Sequence, residues 1–157
     1  MNSAIESQRE LAPLTTLRLG GDARYFLKAS SVEDILHGLS FAREKKIPLY
    51  TLGGGSNTIF SDQGFPGLVM HIATRGIETI DQDERSALLD VQAGENWDEF
   101  VQHCIAHGLA GVECLSGIPG QVGAVPIQNV GAYGQEVAQT IESVRCLDRI
   151  TFEQVVF

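Results

Sequence analysis

Glycine recurs through one apolar segment of this chain, residues 111–134, and this segment constrains the fold more than any other feature. The glycines stand at Gly111, Gly117, Gly120, Gly123, Gly131 and Gly134, with prolines at Pro119 and Pro126. Glycine and proline at this density break long helices and strands. The valines, leucines and isoleucines between them are too hydrophobic for a solvated linker. We therefore expect a region of turns that packs or binds something.

The first half of the chain shows a β-α-β pattern. Apolar residues at a 3.6-residue period predict a helix over Ser30–Lys46, with Ser30 and Glu33 as a capping box. Short apolar runs at Leu49–Leu52 and Leu68–Ile72 predict two strands. This order is typical of a sheet with a helix packed on it.

The second half of the chain also shows patterns of both helix and strand. A helix from Trp97 to Ile105 is predicted from its apolar spacing, with Asn96 as the cap, and alternation over Leu89–Ala93 predicts a strand before it. The polar stretch 78–86 predicts a boundary between two lobes, 1–77 and 78–157. The chain stops on three apolar residues in a strand predicted over Thr151–Phe157, so we expect the second lobe to be incomplete at its C-terminal end.

Charge and composition exclude several classes of function. The formal net charge is -9, which argues against nucleic acid as a partner. No apolar run is long enough for a membrane span, and the N-terminal residues do not resemble a signal peptide, so we expect a cytoplasmic protein. Three cysteines without a C-x-x-C pair suit a reducing compartment.

The run Gly53-Gly54-Gly55-Ser56-Asn57 follows a predicted strand directly. Glycines allow positive φ, so successive backbone N–H groups can converge on an anion such as phosphate. A tight turn is the simpler alternative. The run lacks the lysine of a Walker loop, and Thr58 stands where a dinucleotide-binding fingerprint has its third glycine.

A second glycine-rich stretch, Ser116–Ala124, has glycines at 117, 120 and 123 that could let a backbone ribbon lie against a flat ligand. Amides and a phenol follow it at Gln128, Asn129 and Tyr133. Ser116 lacks the motifs that surround a serine nucleophile. His103 and His107 have metal-ligand spacing, but a solvated helix face explains them better, and we expect no metal.

Four segments in this order resemble the UDP-N-acetylenolpyruvoylglucosamine reductase family: Thr16–Gly21, Gly53–Asn57, Ser116–Gly120 and Pro126–Gly134. The resemblance covers residues 14–148. It implies an α+β fold, a two-lobed FAD-binding domain of the vanillyl-alcohol-oxidase type with FAD between the lobes, truncated here before the substrate domain.

The resemblance also implies a cofactor and a reaction. FAD would accept hydride from NADPH and reduce the enolpyruvyl group of UDP-N-acetylglucosamine to give UDP-N-acetylmuramate for peptidoglycan. The glycine run would hold the FAD pyrophosphate, and the later segments would line the flavin. The implied cofactor-binding residues are Gly53, Gly54, Gly55, Ser56, Asn57, Ser116, Gly117, Ile118, Pro119, Gly120, Gly123, Gln128, Asn129, Gly131, Ala132 and Tyr133.

The family's Tyr-Arg motif, serine proton donor and glutamate would all follow the last residue of this sequence. We therefore expect no catalytic residue on this chain, and no turnover by the chain alone. Three alternatives stay open: a noncatalytic flavin-binding module that acts with another chain, a different FAD-linked oxidase of the same fold, and a structural domain that binds no flavin.

Overall fold

A computed structural model describes residues 3–157. Contacts between Cα atoms divide the chain into two compact units, Met1–Thr74 and Arg75–Phe157. The polar stretch 78–86, chosen from the sequence as a lobe boundary, lies within a β-hairpin of the second unit. The lobes 1–77 and 78–157 stay a prediction.

The first unit is a four-stranded sheet with one long helix. The elements are β1 (Glu6–Glu10), β2 (Asp22–Ala29), α1 (Val32–Lys45), β3 (Leu49–Leu52) and β4 (Phe65–Ile72). In space the strands follow the order β1-β2-β4-β3. Strand β1 runs antiparallel to β2, whereas β2, β4 and β3 are parallel.

Helix α1 begins one residue later than the capping box predicted. Ser31 is the N-cap, and its Oγ accepts a hydrogen bond from Asp34 N at 3.1 Å. Ser30 instead donates its N–H to Asp34 Oδ2 at 3.0 Å. The Asp34 carboxylate also accepts from Ser3 N at 2.7 Å and Ser3 Oγ at 2.8 Å. The buried carboxylate, rather than Ser30, therefore organises the start of the helix.

The central strands of the first unit are covered on both faces, which explains the buried apolar run Leu68–Met70 in β4. One face packs Leu27 and Leu68 with Ala42 of α1. The opposite face packs Phe26 and Val69 with residues from the connecting loops. The full buried sets are Leu27, Ala29, Ala42, Leu68 and Met70 on the helix side and Leu11, Ala23, Phe26, Leu52, Phe60 and Val69 on the other.

The second unit combines hairpins, one helix and several 3₁₀ turns. Its regular elements are β5 (Ile77–Gln82), β6 (Ala87–Val91), α2 (Trp97–Ala106), β7 (Gly131–Ala132), β8 (Gln135–Glu136), β9 (Arg145–Leu147) and β10 (Gln154–Val156). Strand β6 ends before Ala93, and β10 is shorter than the predicted terminal strand. The 3₁₀ segments include Glu113–Leu115 and Val122–Gln128. The mixture of helix and sheet in the two units confirms the predicted α+β class.

Helix α2 carries the core of the second unit. Asn96 Oδ1 accepts from Glu99 N at 3.0 Å, as the sequence predicted for the cap. Trp97, Val101 and Cys104 pack from the helix against the glycine-rich segment. That segment contributes Val112, Leu115, Val125 and Val130, so its turns are part of the core, and Val137 joins them from the turn that follows.

The described residues show neither a membrane-spanning helix nor a cluster of metal ligands. Across residues 3–157, the helices are too short or too polar to cross a bilayer. Over the same residues no three side chains of the His, Cys, Asp and Glu types cluster as a metal site would require. The His103 and His107 rings lie with their centroids 4.2 Å apart and their planes tilted by 34°.

Candidate functional site

The glycine loop, Gly53–Asn57, leaves the end of β3 in the first unit. Gly55 is buried and has φ of 72°. A Cβ atom added there would lie 2.1 Å from Leu14 O. Gly55 O accepts a hydrogen bond from Thr16 N at 3.1 Å. Both the backbone angle and the space therefore require glycine at this position.

The backbone N–H groups of the glycine loop fit an anion. Within residues 3–157, no hydrogen bond uses the N–H groups of Gly54, Gly55 or Ser56. N–H groups around a left-handed residue can form a concave nest for phosphate oxygens. Ser56 adds a hydroxyl that can donate to the same oxygens. The residues of this loop thus suit a pyrophosphate such as that of FAD.

The second loop, Ser116–Gly120, is held by the first turn of α2. Trp97 Nε1 donates to Leu115 O at 2.9 Å, and Trp97 N donates to Gly120 O at 3.1 Å. Asp98 Oδ1 accepts from Ser116 Oγ at 2.8 Å and from Gly117 N at 2.6 Å. Gly117 N–H and the Ser116 hydroxyl hold the pKa of Asp98 below its ordinary value, with a contribution from Gln102.

The 3₁₀ helix Val122–Gln128 follows the second loop, and Asn129 is its C-cap. This helix starts beside Ala93, whose carbonyl accepts a hydrogen bond from Gly123 N at 2.9 Å. Asn129 adopts the left-handed conformation, with φ of 45°. Its Nδ2 donates to Glu136 Oε2 at 2.9 Å, and its Oδ1 accepts from Ala138 N at 3.1 Å. Both ends of the Asn129 amide therefore fix the backbone around it.

Strands β7 and β8 form a two-residue hairpin that displays Tyr133. The turn residues Tyr133 and Gly134 both have positive φ, 51° and 85°, as in a type I′ turn. Tyr133 is 92% exposed. Gln135 Oε1 accepts from Cys114 N at 2.9 Å, which links the hairpin to the segment before Ser116. Tyr133 therefore keeps a strained backbone conformation without being buried in return.

The sequence-predicted residues thus fall into two groups. Gly53–Asn57 lie in the first unit. In the second unit, the second loop and the hairpin both adjoin the 3₁₀ segment Glu113–Leu115. Gln128, Gly131 and Tyr133 are exposed there, whereas Ile118 and Ala132 are half-buried.

Sequence reasoning missed the residues that support the loops. The sequence pattern places Trp97 only in the apolar stripe of a helix and gives Asp98 no role, yet both residues hold the second loop. Thr16 was noted only within a motif, yet its N–H bonds to the glycine loop. An acidic residue next to a helix cap gives a weak signal, because it also suits the helix dipole. Its partners, 18 and 19 residues away, are not visible in the sequence.

Comparisons with known proteins agree on one kind of relative. The profile of the family described as "FAD binding domain" matches residues 23–150. The chain is 47% identical over 146 residues to the UDP-N-acetylenolpyruvoylglucosamine reductase of Salinispora arenicola. The aligned region covers 93% of this chain and 40% of the relative. It is 40% identical over 153 residues to that of Pseudomonas syringae, covering 98% of the chain and 45% of the relative.

A solved structure gives the same picture for the fold. The crystal structure of UDP-N-acetylenolpyruvylglucosamine reductase from Thermus caldophilus matches with a TM-score of 0.71 and 28% identity. The match covers 100% of this chain and 52% of that chain. The chain spans about two fifths of the length of the curated relatives it matches. The predicted FAD-binding fold is confirmed by this likeness and by the family match.

Proposed function

This chain belongs to the FAD binding domain family, and from that premise we propose that it binds FAD as the cofactor-holding part of a UDP-N-acetylenolpyruvoylglucosamine reductase. The observation that carries the proposal is the glycine loop, where buried Gly55 has no room for a side chain. N–H groups of Gly54, Gly55 and Ser56, unused by residues 3–157, would bind the FAD pyrophosphate. Gly53 and Asn57 would complete this loop.

The second unit would supply the residues that line the flavin. Ser116, Gly117, Ile118, Pro119 and Gly120 would present a narrow backbone ribbon to it. Gly123, Gln128, Asn129, Gly131, Ala132 and Tyr133 would form the neighbouring part of the site. Ser116 donates its hydroxyl proton to Asp98, so the hydroxyl oxygen would accept a hydrogen bond from the cofactor.

The reaction proposed for the whole enzyme is a reduction in peptidoglycan synthesis. Bound FAD supplies hydride transfer, from NADPH to the enolpyruvyl group of UDP-N-acetylglucosamine. The relatives named above carry this substrate in their names. We propose a cytoplasmic oxidoreductase that serves cell-wall growth, and hence cell shape and division. In this chain the described residues would bind and orient the cofactor, and the proton donor would come from the substrate domain that the family resemblance implies.

A comparison of three flavins tests the pyrophosphate assignment. We expect FAD, titrated by quenching of flavin fluorescence, to bind at least about tenfold more tightly than riboflavin, because only FAD offers the pyrophosphate to the glycine loop. FMN, with one phosphate, should lie between them. Equal affinities for FAD and riboflavin would contradict a pyrophosphate role for Gly53–Asn57.

A further inference from the structure

Burial does not hold the first two residues of the second loop in place. Ser116 and Gly117 are both exposed. Gly117 has φ of 77°, and nothing lies within 4 Å of the position its Cβ would take. An exposed segment without side-chain contacts is expected to sample several conformations. Something other than burial must therefore hold these two residues in one geometry.

Asp98 makes the hydrogen bonds that can do this. One oxygen, Oδ1, receives both Ser116 Oγ–H and Gly117 N–H. The other oxygen accepts from Gln102 Nε2 at 2.7 Å, one helical turn away, which fixes the carboxylate's rotamer. Hydrogen bonds to a charged acceptor are about twice as strong as those between neutral groups. The ionised carboxylate is favoured, since donors from Gly117, Ser116 and Gln102 keep the pKa of Asp98 below its ordinary value.

Helix capping does not explain the position of Asp98. The N-cap is Asn96, whose side chain accepts from Glu99 N. Glu99 supplies a second negative charge to the same helical turn, so the dipole does not depend on Asp98. Trp97 secures the two ends of the loop, at Leu115 and Gly120, from within the core. Asp98 is the residue that orders the exposed part between them.

We propose that Asp98 is a positioning residue for FAD: it holds Ser116 and Gly117 in the geometry that receives the flavin and leaves the Ser116 oxygen as an acceptor. This inference rests on the proposed function. Asp98 itself does not need to touch the cofactor. Its effect on binding must therefore pass through Ser116 and Gly117, which makes the inference testable by coupling between substitutions.

The test is an FAD titration of the 157-residue chain, of four single variants and of the Asp98→Ala/Ser116→Ala double variant. We expect Asp98→Ala to weaken FAD binding about tenfold, because the preorganised loop is lost. Asp98→Asn keeps an oxygen acceptor and should recover part of this loss. Glu99→Ala removes the same charge from the same turn and should change the affinity less than about twofold. Ser116→Ala should weaken binding in the wild type and add little to Asp98→Ala.

Amide hydrogen exchange without FAD provides an independent readout. The Gly117 N–H should exchange faster in Asp98→Ala than in the wild type, and Glu99→Ala should leave it unchanged. The inference would be overturned if Asp98→Ala bound FAD as tightly as the wild type, or if the losses of affinity in Asp98→Ala and Ser116→Ala were fully additive. Either result would leave the proposed function intact. A folded wild-type chain that binds no FAD would overturn the proposed function, and this inference with it.

Discussion

At the scale of single residues, Gly55 links the sequence to the proposed cofactor most directly. It combines a left-handed backbone with a carbonyl, Leu14 O, at the place of a side chain. We expect Gly55→Ala to destabilise the chain by about 3 kcal/mol, from backbone strain together with overpacking. The same variant should lose FAD binding, because the shift needed to relieve the clash moves the N–H groups. Urea unfolding and an FAD titration measure the two effects.

Gly108→Ala is the matched control for Gly55. Gly108 also has a left-handed backbone, with φ of 70°, but nothing lies within 4 Å of its Cβ position. We expect a loss of about 1 kcal/mol from backbone strain alone, with FAD binding retained. Equal stability losses in the two variants would contradict the close approach of Leu14 O to Gly55.

Asp34 gives the stability of the first unit a dependence on pH. Hydrogen bonds from Ser3, Ser30 and Ser31, with the Ser3 N–H contributing most, lower its pKa from 3.8 to about 2. A carboxyl group whose pKa is lower in the folded state stabilises the fold above its unfolded pKa, and this contribution is lost as the pH falls through the folded pKa. Asp34→Asn should therefore reduce the free energy of unfolding by about 2 kcal/mol at neutral pH. The difference from the wild type should shrink as the pH falls from 4 to 2 in urea titrations. A difference that is constant with pH would contradict the shifted pKa.

At the scale of elements, we expect the β7–β8 hairpin to be less stable with Tyr133 than with another turn residue, and Tyr133 to favour the proposed FAD binding. Tyr133 occupies a turn position that favours asparagine or glycine, and it is 92% exposed. We expect Tyr133→Asn to raise the stability by about 0.5–1 kcal/mol, because asparagine tolerates positive φ, and to weaken FAD binding. Tyr133→Phe keeps the ring and should leave the stability unchanged. Thermal melts and FAD titrations would separate the two effects, and unchanged FAD affinity in Tyr133→Asn would remove Tyr133 from the site.

The elements also show how far the sequence can be interpreted. Both helices were predicted to within two residues at their N-terminal ends, because apolar periodicity and a cap residue coincide there. Strand β1 has no such pattern: all five of its residues are exposed, and it is a strand because it pairs with β2. The four glycine-rich motifs predicted the family and its fold. The support of Ser116 by Asp98 could not be predicted, since it joins residues that only the tertiary fold brings together.

At the scale of the whole molecule, the net charge is -9. With this charge, the salt dependence of FAD binding distinguishes binding by backbone N–H groups from binding by cationic side chains. Both the chain and the FAD pyrophosphate are negative, so their long-range interaction is repulsive and is screened by salt. We expect the dissociation constant for FAD to stay constant or fall when NaCl is raised from about 20 to about 200 mM. A tenfold weakening over this range would indicate that a lysine or arginine carries the binding.

The central claim is that the glycine loops of this chain bind FAD, and a visible absorbance spectrum tests it most directly. The purified chain would be incubated with FAD, desalted, and then given NADPH under anaerobic conditions. We predict a flavin band that survives desalting, and bleaching by NADPH would extend the result to the proposed hydride transfer. Loss of all flavin on desalting, from a chain whose circular dichroism shows the folded α+β structure, would contradict the claim.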